Sequence, residues 1–427
     1  MTETSVRLTH LQQRVQSGEL TAEAARQHQH AHLKAHAPTW HCVVQTLNDT
    51  PPATGGPLSG VSLAHKDIFD LPGRAPGVGV HVGQADATRH RAAALALLAQ
   101  AGASQSATLV MAPHACGATA QNPHFPRPIN PLHPAMAVGG SSSGSAVAVA
   151  AGLTYFSLGT DTAGSVRIPA ATCGLVGLKT THGLIPTEGC APLAPSLDTI
   201  GILARHVDEA QAALHALAPT LAPPDAPPRW RLRAWLPREH LAADIASCLH
   251  AWMATQSTQP VDLHAAVDAL SVLAQRVLAY EVGQTHRAAL LAQQADPSVQ
   301  ALGWLGLAMP PAWYHAALAC RGAALERFIT ECFGEADLVV LPALPHSVPD
   351  WDEVQVGEPR FQVTELLALH RFMGFVNYLG LPALNWPIGV DARQRPVCVQ
   401  VLARPFAERR LLAWAASCAA PSFFTSP

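Results

Sequence analysis

The run Gly139-Gly140-Ser141-Ser142-Ser143-Gly144-Ser145 constrains this chain more than any other stretch. Glycines beside serines let the backbone approach closely and take up strained geometry. Gly144 to Gly152 is rich in small residues and predicts a helix, and Thr154 to Leu158 predicts a strand. A second small-residue turn follows, Gly159-Thr160-Asp161-Thr162-Ala163-Gly164-Ser165, leading into Val166-Arg167-Ile168-Pro169-Ala170. Helix alternating with strand points to an α/β sheet covered on both faces.

A serine hydroxyl is a weak nucleophile and needs a base. Upstream of both clusters lies Ala64-His65-Lys66-Asp67-Ile68-Phe69-Asp70, with Lys66 delivered by a short apolar strand, Val61 to Ala64. Lys66 can act as that base only when neutral, and burial lowers a lysine pKa by disfavouring the ammonium. A nucleophilic hydroxyl, a second hydroxyl to relay its proton and an amine to receive it are the parts of an acyl-transfer site. The amides of the Asp161 to Ser165 turn are placed to converge on one oxygen and form an oxyanion hole.

Composition narrows the class. Charged residues are 13% and the net charge is −3, against roughly 25% charged in typical chains. This leaves no basic footprint for nucleic acid. No apolar stretch reaches the roughly 18 residues of a membrane span, and the start shows no secretory signal. Nine scattered cysteines without a C-x-x-C pair fit reduced thiols in a cytoplasm.

Along the chain, residues 6 to 37 predict polar helix with a break at Ser17 to Glu23. Pro51 to Gly60 predicts a loop, Ala87 to Ala103 a helix and Ala107 to Met111 a strand. Prolines 219, 223, 224, 227 and 228 mark a connector. Helix predominates from 240 to 333, and strand returns at Asp337 to Pro342 and Val397 to Leu402. No internal repeat is visible. The expected architecture is one α/β domain over 1-427 with a central mixed twisted sheet. Its parts are an N-terminal helical region (1-50), a catalytic core (60-205), a mostly helical insertion (219-333) and a return to the core (337-427).

These residues resemble the amidase signature family of serine hydrolases. The likeness covers Gly60 to Asp70, then Asn130 to Arg205 including Pro192 to Gly201, then more loosely Leu379 to Phe406. It is nearest in look to compact, indole-3-acetamide-hydrolase-like amidases. The resemblance implies Ser165 as nucleophile, Ser141 as bridging serine after a cis Gly140–Ser141 peptide, and Lys66 as terminal base. It also implies an oxyanion hole of the Thr162, Ala163, Gly164 and Ser165 amides. Ala163 departs from the more usual glycine. Ala112-Pro113-His114 stands where many relatives carry an acidic residue, so no relative's substrate preference carries over.

Each motif has a plainer rival. Gly140-Ser141-Ser142-Ser143-Gly144 also fits the G-x-S-x-G elbow, with Ser142 as nucleophile, but that leaves Lys66 and Ser165 unexplained. No Gly-Lys-Ser/Thr follows to make a phosphate loop. His28, His32 and His36 share a helix face, read as solvated rather than metal-binding. His65 reads as a packing residue, Asp67 and Asp70 as structural acceptors and Arg167 as a brace for the nucleophile turn, with binding of an acidic substrate group as its alternative role. Trp304, Trp313, Tyr314, Phe372, Phe375 and Tyr378 read as core.

The expected function is cleavage of a small carboxamide, carbamate or urea-like C–N bond through a Ser165 acyl-enzyme, with no cofactor and no metal. The expected partner is a small-molecule amide, with neither nucleic acid nor membrane; the sequence leaves the oligomeric state open, with a homodimer among the options because members of the family it resembles are often homodimers. Two alternatives stand beside it: the ammonia-generating subunit of a tRNA-dependent amidotransferase, and a catalytically silent scaffold of the same fold.

Overall fold

The computed structural model describes residues 7–48, 55–223, 229–418 and 423. Pro51 to Thr54 of the expected loop, and Pro224, Pro227 and Pro228 of the expected connector, lie outside them.

Two helices open the chain, α1 (Leu8–Gln16) and α2 (Ala22–Trp40). The break between them is set by Thr21, whose hydroxyl accepts from the Ala24 amide at the start of α2. Strands β1 (Val43–Thr46) and β2 (Ser62–Lys66), helix α3 (Ala93–Gln100) and strand β3 (Ser104–Leu109) follow. Helix α3 begins later than Ala87 because Asp86 draws Thr88 and Arg89 into a local turn. These three strands form a small sheet of their own, ordered β1-β3-β2, with β2 parallel to β3. Lys66 is therefore the last residue of β2, paired with Leu109, rather than a residue beyond the strand.

Next come α4 (Ser143–Ala150), β4 (Phe156–Asp161), α5 (Arg167–Thr172), β5 (Val176–Lys179), β6 (Thr199–Ala204) and α6 (Val207–Leu217). Strand β4 extends to Asp161, so Gly159 and Thr160 belong to the ladder with β6 and not to the turn. The stretch expected as a helical insertion also holds two short strands, β7 (Leu232–Ala234) and β8 (Thr258–Pro260). Its helices are α7 (Ala243–Thr255), α8 (His264–Thr285), α9 (Arg287–Leu291), α10 (Pro297–Ala308), α11 (Pro311–Ala319) and α12 (Arg321–Phe328). The chain ends through β9 (Leu338–Pro342), α13 (Val363–Ala368), α14 (Gly374–Leu379), β10 (Ala383–Val390), β11 (Pro396–Leu402) and α15 (Glu408–Ser417).

The main sheet has eight strands in the order β4-β6-β5-β10-β11-β9-β7-β8. Ladders from β4 to β9 are antiparallel, and β9, β7 and β8 run parallel, so the sheet is mixed as expected. Residues of β4, β5, β6, β9 and β11 are buried throughout, the mark of a sheet covered by helices on both faces. Trp414 of α15 meets Trp386 of β10 and Trp252 of α7 edge-on, which locks those two helices to the sheet. Among the described residues, no helix is long and apolar enough to cross a membrane.

Candidate active site

Lys66 and Ser141 come together at the junction of the two sheets. Side chains join the sheets there: the Ser157 hydroxyl donates to the Ala64 carbonyl at 2.8 Å. Lys66 Nζ donates to Ser141 Oγ at 2.7 Å and to Thr160 Oγ1 at 2.8 Å. Lys66 is wholly buried. Burial drops its pKa to about 7, although Cys190, Asp198 and Asp161 each favour the charged form. The amine is thus poised between donor and acceptor near neutrality. Ser141 follows a cis peptide from Gly140. Its carbonyl accepts from the Ala112 amide. Helix α4 holds this segment against β3 so closely that a Cβ on Gly144 would stand 2.5 Å from the Val110 carbonyl oxygen.

Ser165 is nearly buried, at 7% exposure, on a turn organised by one carboxylate. Asp161 accepts from the amides of Gly164 (2.9 Å), Val166 (3.2 Å) and Arg167 (3.3 Å). Burial alone would raise the Asp161 pKa; the Arg167 guanidinium overrides it and holds the carboxyl well below the usual range. Arg167 is itself fully buried, bonding both Asp161 oxygens, Gln400, Asn377 and the Met373 carbonyl. It is a brace for the turn and is not open to a substrate. Asn377 completes the clamp by donating to the Asp161 carbonyl at 2.8 Å. Gly164 sits at φ +115°, where a side chain would be strained. The Ser142 amide donates to the Ser165 carbonyl at 3.2 Å, tying the two serine segments together.

One expected role changes. The Gly164 amide points at Asp161 and is spent there, so it is withdrawn from the oxyanion hole. Thr162, Ala163 and Ser165 remain as its candidates. Thr162 is held by its hydroxyl on Asp198 at 2.6 Å. The Ala163 carbonyl accepts from His370 Nδ1 at 3.2 Å.

His370 and Gly374 also line a cavity of about 860 Å³. The cavity reaches the nucleophile turn through His370 and does not count Ser165 among its walls. Its far side is built from α8 and α10.

The Amidase family profile matches residues 21–229 and 236–412. The chain belongs to the amidase family. Over 392 residues it is 30% identical to the 2-amino-5-chloromuconic acid deaminase of Comamonas testosteroni, covering 84% of this chain and 80% of that one. It is 44% identical to Amidase 1 of Oryza sativa subsp. japonica over 175 residues, 40% of this chain and only 39% of the rice protein's length. A crystal structure of an amidase superposes with a TM-score of 0.84 at 26% identity, covering 96% of this chain and 98% of that one.

Within this amidase fold the rival readings separate. Ser142 is fully buried and its hydroxyl donates to the Thr160 carbonyl at 3.4 Å, so it faces inward as a structural residue and not as an elbow nucleophile. His65 bonds Gln105 and packs edge-on against Phe69, as expected. Asp67 accepts from the Gly77 amide and Asp70 pairs with Arg89. His32 and His36 pack ring to ring at 4.5 Å on α2.

Among the described residues, one group could hold a metal ion: Glu239, His240 and His264, with His240 on the cavity wall. The Arg371 guanidinium donates to His240 Nε2 at 2.8 Å and fills that lone pair. Phe372, Phe375 and Tyr378 are core as expected, whereas Trp304 and Trp313 stand exposed. Trp304 lies on α10, which lines the cavity through Leu305, and Trp313 lies on α11 beside Arg276.

Sequence reasoning missed Thr160, Asn377 and His370. An acidic residue ahead of a small-residue turn was a signal for Asp161 as its anchor. Nothing local marked Asn377, which acts across 216 positions.

Proposed function

We propose that this protein is an amidohydrolase that cleaves a small carboxamide, carbamate or urea-like C–N bond through an acyl-enzyme on Ser165. The observation that carries the reading is the Lys66 Nζ to Ser141 Oγ hydrogen bond at 2.7 Å inside a fully buried site. Ser165 Oγ attacks the carbonyl carbon while its proton passes by way of Ser141 to neutral Lys66. The tetrahedral oxyanion takes hydrogen bonds from the Thr162, Ala163 and Ser165 amides. Lys66 returns the proton through Ser141 to the leaving nitrogen, and ammonia or an amine departs. Water then attacks the acyl-enzyme with the same relay, releasing the acid and restoring Ser165.

The chemistry uses no cofactor. Membership of the amidase family and the deaminase relative's name support C–N hydrolysis. The nine cysteines, all unbridged, support a cytoplasmic setting. The test is a screen of small amides and carbamates with product mass detection, run beside Ser165→Ala. Release of the acid by the native chain and not by the variant is expected. Turnover retained by Ser165→Ala would overturn the assignment.

A further inference from the structure

We propose that Arg276 binds a carboxylate at the end of the substrate remote from the scissile amide, a specificity that rests on the amidohydrolase reading above. Arg276 lines the cavity from α8. Among the described residues, no carboxylate lies within ion-pair distance of its guanidinium; its contact is with the ring of Trp313, 5.5 Å from the centroid. The other basic side chains on the cavity wall already have partners. Arg371 bonds Asp268 and His240, and His346 lies 3.1 Å from Glu365.

A guanidinium held over an aromatic ring keeps its N–H edge free, and that edge fits a carboxylate in a two-point bond. The same cavity has walls that suit an apolar body. Val272 and Leu305 are 53% and 57% exposed, and Leu367 is 62% exposed, all lining the same cavity. His370 lines the same cavity and bonds the carbonyl of Ala163, two residues before Ser165, which is the cavity's link to the nucleophile turn. The substrate class is an apolar-bodied amide ending in a carboxylate.

The probes are suberic acid monoamide and octanamide, which differ in a carboxylate or a methyl end. Binding is read by tryptophan fluorescence on the Ser165→Ala protein, and turnover on the native chain. Tighter binding of the monoamide is expected. Adding Arg276→Gln should lower the monoamide-over-octanamide affinity ratio by about 10- to 100-fold, the loss of one hydrogen-bonded charge pair. Arg276→Lys should recover part of it.

An affinity ratio unchanged by Arg276→Gln, or no preference for the monoamide in the starting protein, overturns the inference. Failure of the amidohydrolase reading shows separately, as absent turnover of both probes and of the wider amide screen while the binding preference persists.

Discussion

At the scale of single residues, Lys66 carries the account. A lysine wholly inside the protein pays in desolvation, which is why its pKa falls to about 7. The folded value lies below the unfolded one, so the unfolded chain binds the extra proton between about pH 7 and about pH 10.4. Stability should therefore rise with pH across that window, and the penalty is full below it. Lys66→Met should gain stability over the native chain as pH falls from about 9 to about 6, by an amount on the order of 3 kcal/mol. Thermal melts of both proteins at the two pH values check this; a constant difference would mean that Lys66 does not titrate there. The sequence singles out Lys66, Ser141 and Ser165 because their neighbours are long, distinctive runs, and the structure pairs the first two. Thr160, which shares the amine, is not singled out, because nothing in a β-strand marks which hydroxyl faces a buried cation.

At the scale of elements, the site is the meeting of β2, β4 and α4, and the turn after β4. Asp161 ends β4 and collects three amides and the Arg167 guanidinium. Asp161→Asn leaves that guanidinium buried without its counter-charge, and should cost about 3–5 kcal/mol in chemical denaturation and most of the activity. A loss below about 1 kcal/mol would show that Arg167 is satisfied by Asn377 and Gln400 alone. Gly144→Val should push α4 off β3 and lower activity together with stability, since a Cβ there would stand 2.5 Å from the Val110 carbonyl oxygen and 2.7 Å from that of Cys42, both backbone atoms. Strand boundaries were the least legible part. Small, buried strands such as β4 show no alternation, and only pairing with β6 reveals that β4 runs on to Asp161. The separation of β2 from the main sheet was equally hidden, because it rests on hydroxyl bridges and not on any pattern in the chain.

At the scale of the whole molecule, an eight-stranded sheet and a three-stranded sheet present their serines and lysine to one another, and the helices after β8 shape the cavity beside them. The mixed sheet under helices was legible from the alternation of elements. The last two strands of the sheet, β7 and β8, were not, being three residues each. The proton relay uses only side chains of this chain, so activity should survive exhaustive dialysis against EDTA; loss restored by zinc would bring Glu239, His240 and His264 into the chemistry. The central claim, a Ser165 nucleophile activated by neutral Lys66, is tested most directly by labelling the intact protein with a fluorophosphonate. The rate is followed from about pH 5 to about pH 9 and the site mapped by peptide mass. The account predicts a label on Ser165, entering faster as pH rises through about 7, with that rise missing from Lys66→Ala. A label on Ser142 or another serine, or an unaltered pH profile in Lys66→Ala, would contradict it.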